Sequence, residues 1–485
     1  MAAEPGRYGG SDRIEGRTKL LYKIRLSMKK NSRQYRIKNK KTLRHEYILK
    51  NNINQEVNSI KIIDLTMSHI VSLNPICGEC EEVKRKYFDK LVQYLKIGGG
   101  SRRKYEKSEI DAYRNIIFAS NEIKEKHSFD YYSYYIMLDF LHIIGYETSK
   151  ISSEKWNEIK KQYLDDFDNV TVGDFKKIIN FVNVADNRNL KFIKNETEYI
   201  KAIRKNLLFR KKSLTNLMVT ATMSAGKSTF INALVGKYIC LSQNMSCTSK
   251  IHSIINKSFE DGYTTEYDHD LIMTAGKEEL LNDNEENLSD IIYVATAFSG
   301  ILKNSRIIVN DSPGVNFSGN NEHKQITDKL IKRRNYELLI YLMNSTQLGT
   351  SDEDEHLEFV KHSVGRIPVI FVMNKVDLLN PDEEDILKII DRQKAYLKKK
   401  GFKNPVICPI SARAGYLAKQ IDLSKTKKRE LYNYIDKFEK MSLDKYYENQ
   451  LGVRKIEDSA QEEVQLLKKC GLSYLEKIIL KYSRR

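Results

Sequence analysis

Over the first 210 residues, apolar positions return every three or four residues between charged ones, the spacing of helices that bury one face. Within residues 55–97, Tyr87, Leu91 and Leu95 fall four apart. Gly98-Gly99-Gly100-Ser101 interrupts that pattern and reads as a flexible joint. Beyond it the same periodicity predicts helices over Ile110–Ile123, Tyr131–Ile144, Ser153–Tyr163, Val172–Val182 and Glu196–Leu208. The aromatic run Phe129-Asp130-Tyr131-Tyr132-Ser133-Tyr134-Tyr135 is expected to serve as core, because aromatics on a helix are more often buried than lipid-facing. From Asn216 the period shortens. Apolar runs at Leu217–Thr220, Arg306–Asn310, Leu338–Met343, Val369–Met373 and Val406–Ile410 predict strands. Helical patterns near Lys227–Leu234, Glu322–Arg333, Glu353–Lys361 and Asp385–Lys399 separate them. Strands alternating with helices predict a mostly parallel sheet covered on both faces. After about residue 425 the pattern is helical again. Val453, Ile456, Ala460, Val464, Leu467, Gly471, Tyr474, Ile478 and Tyr482 predict one long helix with one apolar stripe.

Charge changes this picture at one end only. The chain of 485 residues carries a formal net charge of +18, but residues 1–50 hold 15 Lys+Arg against 4 Asp+Glu. That tail is expected to be solvated disorder, with an anionic membrane surface as the alternative; nucleic acid is not the expected partner. Gly9-Gly10-Ser11 and Ile14-Glu15-Gly16-Arg17 resemble a linker and a cleavage tag, which would make Met28 the native start. Six scattered cysteines suit a reducing, cytoplasmic setting. No uncharged apolar run approaches the ~20 residues that cross a bilayer. Cys77-Gly78-Glu79-Cys80 has zinc or redox spacing, yet only His69 lies near it in sequence, so no metal role follows.

The chemistry concentrates at the ends of the predicted strands. Ala221-Thr222-Met223-Ser224-Ala225-Gly226-Lys227-Ser228-Thr229 follows a strand and opens a helix, the context of a phosphate-binding loop. Backbone N–H groups of Ser224 to Thr229 would wrap phosphates while Lys227 neutralises the β/γ oxygens. The Ser228 hydroxyl is placed to hold Mg²⁺. Asp311-Ser312-Pro313-Gly314 follows the next strand: Asp311 can reach Mg²⁺ through water, and the Gly314 N–H can face a γ-phosphate. Asn374-Lys375-Val376-Asp377 suits guanine. Asp377 can accept from N1–H and the exocyclic amine, Asn374 can contact the other edge, and Lys375 can lie along the base plane. At Ser411-Ala412, backbone N–H groups can meet the guanine oxygen. Ligands of open α/β sheets bind at this carboxyl edge.

Four motifs in this order resemble the GTPase G domain, and their details are similar to the dynamin-like, bacterial-type large GTPases. The serine-containing loop Ser224-Ala225-Gly226-Lys227-Ser228, the proline before Gly314 and the 84 positions from Lys227 to Asp311 carry the likeness, with Asn344–Glu353. Thr248, in the polar loop Asn244–Lys250, best matches the switch threonine that binds Mg²⁺ and orients the attacking water; Ser246 is its competitor. Val315 stands where Ras-like enzymes position water, and Met223 where eukaryotic dynamins carry glutamine. The resemblance covers about residues 213–425 and implies hydrolysis of GTP to GDP and phosphate. It also implies a monovalent cation (K⁺ or Na⁺) held by Ser224, and a homodimer formed through G domains. The expected organisation is the basic tail, a helical region over 51–212, a G domain over 213–425 and C-terminal helices over 426–485 that pack on the G domain or the helical region. Expected roles divide between membrane association or remodelling and a GTP-dependent switch that binds partners through its helices without shaping lipid.

Overall fold

The computed structural model describes residues 70–98, 113–118 except 115, 127–146 except 145, 151–184, 197–240 except 223, 251–312 with short gaps, 321–420 and 425–483. The basic tail, His69, Gly99 to Ser101 and most of Ile110–Ile123 lie outside the described residues. The chain divides into two compact units, Met1–Ile203 and Arg204–Arg485.

The first unit is helical: α1 (Glu81–Gly98), α2 (Ser133–Ile143), α3 (Ser153–Asp166), α4 (Val172–Val184) and the start of α5 (Glu198–Arg210). Its core is aromatic, with Tyr87 and Tyr94 from α1, Phe140 from α2 and Tyr163 from α3 all fully buried. In the aromatic run Tyr132 and Tyr135 are buried, and Tyr131 stays at the surface. Asp139 is wholly enclosed in this bundle. Its carboxyl accepts from Tyr87 Oη at 2.6 Å, from Asn74 Nδ2 at 2.8 Å and from Tyr199. Burial pushes that carboxyl up to about 7 against the pull of these donors. Cys77 is buried and Cys80 half-buried at the 3₁₀ turn Pro75–Gly78, and neither is in a disulfide among the described residues. Among the described residues, no helix is long and apolar enough to cross a membrane.

The second unit is an α/β fold. In chain order it contains β1 (Thr215–Ala221), α6 (Lys227–Val235), β2 (Ile251–Asn256), β3 (Thr265–Tyr267), β4 (Leu271–Ile272), β5 (Ile291–Thr296) and β6 (Ile307–Asp311). There follow α7 (Asn321–Arg333), β7 (Leu338–Asn344), α8 (Ser351–Ser363), β8 (Val369–Asn374), α9 (Ile386–Lys399), β9 (Val406–Pro409) and α10 (Ala412–Ala418). The strands form one sheet in the order β4-β3-β5-β2-β6-β1-β7-β8-β9. Its centre is parallel: β1 lies between β6 and β7, and β7 continues to β8 and β9. These strands are buried on both faces, as near-continuous apolar runs demand. On the other side β2 runs antiparallel to β6, and β3 antiparallel to β5.

The C-terminal part corrects one expectation. After α11 (Lys425–Met441) and α12 (Leu443–Asn449), residues 453–461 are not helical, and the predicted single helix is two, α13 (Glu462–Lys469) and α14 (Leu472–Ser483). Gly471 breaks it at φ 83°, where an added Cβ would lie 2.4 Å from the Pro409 carbonyl. Most of the apolar stripe is nonetheless inward: Val453 and Ile456 pack against the core from non-helical chain, Tyr474 and Ile478 are buried, and Ala460 is exposed. These helices also finish the sheet. Edge strand β9 offers unpaired carbonyls, and Tyr446 and Tyr447 of α12 donate to Ile407 O and Pro409 O at 3.0 and 2.9 Å.

Candidate functional site

The β1–α6 turn is shaped by two left-handed residues, Ser224 at φ 64° and Gly226 at φ 85°. Ser224 is exposed, Ala225 buried, and Gly226 to Thr229 half-buried at the mouth of α6. Lys227 opens that helix, and its ammonium forms an ion pair with the Asp311 carboxylate. Asp311 ends β6 and is paired in register with Val219 of β1, so the parallel sheet itself brings the two motifs together. Asp311 is fully buried, and its Oδ2 has no hydrogen-bond partner among the described residues. Beside it stands the buried Cys240 thiol, pushed far up by burial first and by the Asp311 charge second, and so kept protonated. Cys240 is a neighbour that no sequence motif announced.

The Cys240 thiol is only a weak donor to that buried carboxylate, and a hydrated hard cation would satisfy it. With the Ser228 hydroxyl one residue beyond Lys227, the residues present fit Mg²⁺. The residues assigned to the γ-phosphate side, Thr248, its competitor Ser246, Gly314 and Val315, lie outside the described residues, as does Met223.

The residues expected to read the base stand at the ends of β8 and β9. Asn374 ends β8, and both functional atoms of its side chain are engaged. Nδ2 donates to Ala225 O at 2.9 Å, and Oδ1 accepts from the Ala412 N–H at 2.9 Å. One amide therefore joins the phosphate loop to the loop after β9. Lys375 takes a left-handed conformation at φ 66°, which carries its stem past Gly226; an added Cβ there would lie 3.7 Å from Lys375 Cε. Asp377 follows, half-buried, in the 3₁₀ turn Val376–Leu378.

Ser411 caps α10 by accepting from Ala414 N–H at 3.1 Å. The N–H groups expected to face a guanine oxygen have partners here: Ser411 N–H donates to Cys470 O at 3.1 Å, and Ala412 N–H to Asn374. Sequence reasoning did not foresee that the C-terminal helices reach this loop, because the partners stand about 60 residues away in the chain. Lys419 and Glu476 belong to the same set. They form a fully buried ion pair at 2.6 Å, with Lys419 also donating to Leu234 O at 2.9 Å and Glu476 accepting from Ile301 N–H at 3.0 Å.

Residues 217–376 match the family model described as the dynamin family. A bacterial dynamin-like protein of Nostoc punctiforme is 25% identical over 218 residues, covering 40% of this chain and 30% of its own length. The chain thus aligns with less than a third of that relative. Among solved structures, an oligomerised bacterial dynamin pair, described as a mechanism for long-range sensing and tethering of membranes, is 16% identical. It matches 87% of this chain and 60% of its own, with a TM-score of 0.34. Aquifex aeolicus Era bound to GDP and AlF₄⁻ is 18% identical over 41% of this chain and 52% of its own, with a TM-score of 0.27. The loop after β1, the carboxylate ending β6 and the turn after β8 all fall in or beside the matched segment, and it is over this segment that the chain is similar to the dynamin family.

Proposed function

We propose that the chain binds GTP with Mg²⁺ and hydrolyses it to GDP and phosphate. The observation that carries this reading is the Asn374 amide, which couples the phosphate loop at Ala225 to the base loop at Ala412. Phosphates would lie on the N-terminus of α6, with Lys227 moving its charge from Asp311 to the β/γ oxygens. Asp377 would accept from guanine N1–H and the exocyclic amine, and Lys375 would flank the base. Mg²⁺, when bound, supplies charge for the developing phosphate oxygens; Ser228, Thr248 and, through water, Asp311 would hold it. Thr248 would orient the water that attacks the γ-phosphorus as the bond to the β-phosphate oxygen breaks, and the Gly314 N–H would face the γ-phosphate.

Val315 has no side-chain group to position water, so the remaining charge compensation is assigned to a monovalent cation near Ser224, completed when two G domains pair. Residues 1–50 are assigned to an anionic membrane surface on their charge. Phosphate release from GTP, measured at several enzyme concentrations in potassium, sodium and a bulky organic cation, tests these points together. Turnover should be absent in Lys227→Ala. In the intact chain it should rise faster than linearly with concentration, in potassium or sodium only. Anionic vesicles should raise it, unless residues 1–50 are removed. Equal rates in all three salts with linear enzyme dependence would end the cation-and-pairing part. Wild-type turnover in Lys227→Ala would end the phosphate-loop assignment.

A further inference from the structure

The turn that carries Asp377 is held from outside its own motif. Leu378 N–H donates to Lys375 O at 2.9 Å and Leu379 N–H to Val376 O at 3.2 Å, so the turn's own bonds pass over the Asp377 carbonyl. Lys437 of α11 takes it, donating from Nζ to Asp377 O at 2.6 Å. Three residues earlier, on the same face of α11, Tyr434 is within reach of the Asp377 charge. Its phenol is pushed up to about 12, by burial first and by the Asp377 charge second. The helix does not depend on Lys437 for its place, since Leu431, Ile435, Phe438 and Met441 are all buried. The effect of the ammonium therefore falls on the turn.

We propose that Lys437 is a positioning residue for base specificity, fixing the Asp377 turn so that the carboxylate meets both guanine donors. This rests on the guanine reading of the site. A carboxylate accepting two hydrogen bonds from a flat base edge tolerates little rotation, and a charge-assisted bond to its own carbonyl removes that freedom. Without Lys437, the same carboxylate would sample positions that reach one donor or none.

The test compares GDP with inosine diphosphate, which keeps N1–H but lacks the exocyclic amine. Affinities of both are measured for the full chain, Lys437→Met and Lys437→Arg. Lys437→Met should lower the GDP-to-inosine preference about tenfold, the scale of one hydrogen bond to a charged group, and Lys437→Arg should restore it. A role confined to stability would weaken both nucleotides alike and leave the ratio unchanged; that result overturns the proposal. So does a ratio lost equally in Lys437→Arg, which keeps a donor at that position. A wild-type chain that binds ADP as well as GDP would remove the guanine reading itself, and this inference with it.

Discussion

Gly226 shows how much a single residue decides at this site. Its φ of 85° belongs to the region where L residues strain, and an added Cβ would lie 2.7 Å from Asn374 Nδ2. Alanine would therefore meet two penalties: roughly 1–2 kcal/mol for the left-handed backbone and about 1 kcal/mol for the displaced Asn374–Ala225 bond. Gly226→Ala should weaken GTP at least about tenfold by titration, at a nucleotide affinity that Asn374 no longer supports. Wild-type affinity in that variant would mean that the two loops are not coupled through Asn374. Ser224, at φ 64°, meets the same backbone cost with a side chain present, so the loop holds strain where chemistry is assigned to it.

At the scale of elements, the segments with clear periodicity were legible. The strands that end in Asp311 and Asn374 and the helix that opens at Lys227 stand where apolar runs and spacing put them, because both faces of the central strands are buried. Less legible were β2 to β5, whose strands include polar residues such as His252 and Glu266 and two of which have only two or three residues. The C-terminal stripe misled for a stated reason: inward residues of a non-helical segment and of two helices happened to repeat every three or four positions. Sequence order also named Lys227, Asp311, Asn374 and Asp377, but not Lys437, Cys470 or Cys240. Those residues reach the site through tertiary packing, which leaves no local pattern.

The helical unit makes a prediction of its own through Asp139, whose folded pKa of about 7 exceeds its ordinary 3.8. A raised carboxyl favours the folded state fully below the unfolded value, and that favour is lost as pH rises toward the folded one. Asp139→Asn keeps a side chain that can meet the tyrosine hydroxyls and does not ionise. Relative to wild type, the variant should therefore gain stability between pH about 4 and 7 and hold the gain above, by an amount on the order of a few kcal/mol. Trp156 is the chain's single tryptophan and lies edge-on to Phe140, 6.0 Å between centroids, so its fluorescence follows this unit in the intact protein. Parallel wild-type and variant midpoints at every pH would show that Asp139 does not titrate in this range.

In the whole molecule, one sheet brings two groups of motif residues to one edge. β1 and β6 bring Lys227 to Asp311, β8 and β9 bring Asn374 to Ala412, and Asp377 follows in the turn after β8. The C-terminal helices close the far edge and tie back through Lys437, Cys470 and the Lys419–Glu476 pair. The proposed function is defined by the base the site accepts, and that proposal rests on Asp377. Competition binding of GTP against xanthosine triphosphate, for the intact chain and for Asp377→Asn, measures it directly. The wild type should prefer GTP. The variant should lose GTP affinity about a hundredfold or more and regain it for xanthosine triphosphate, whose 2-carbonyl can accept from the new amide. An Asp377→Asn protein that still prefers GTP would contradict the account.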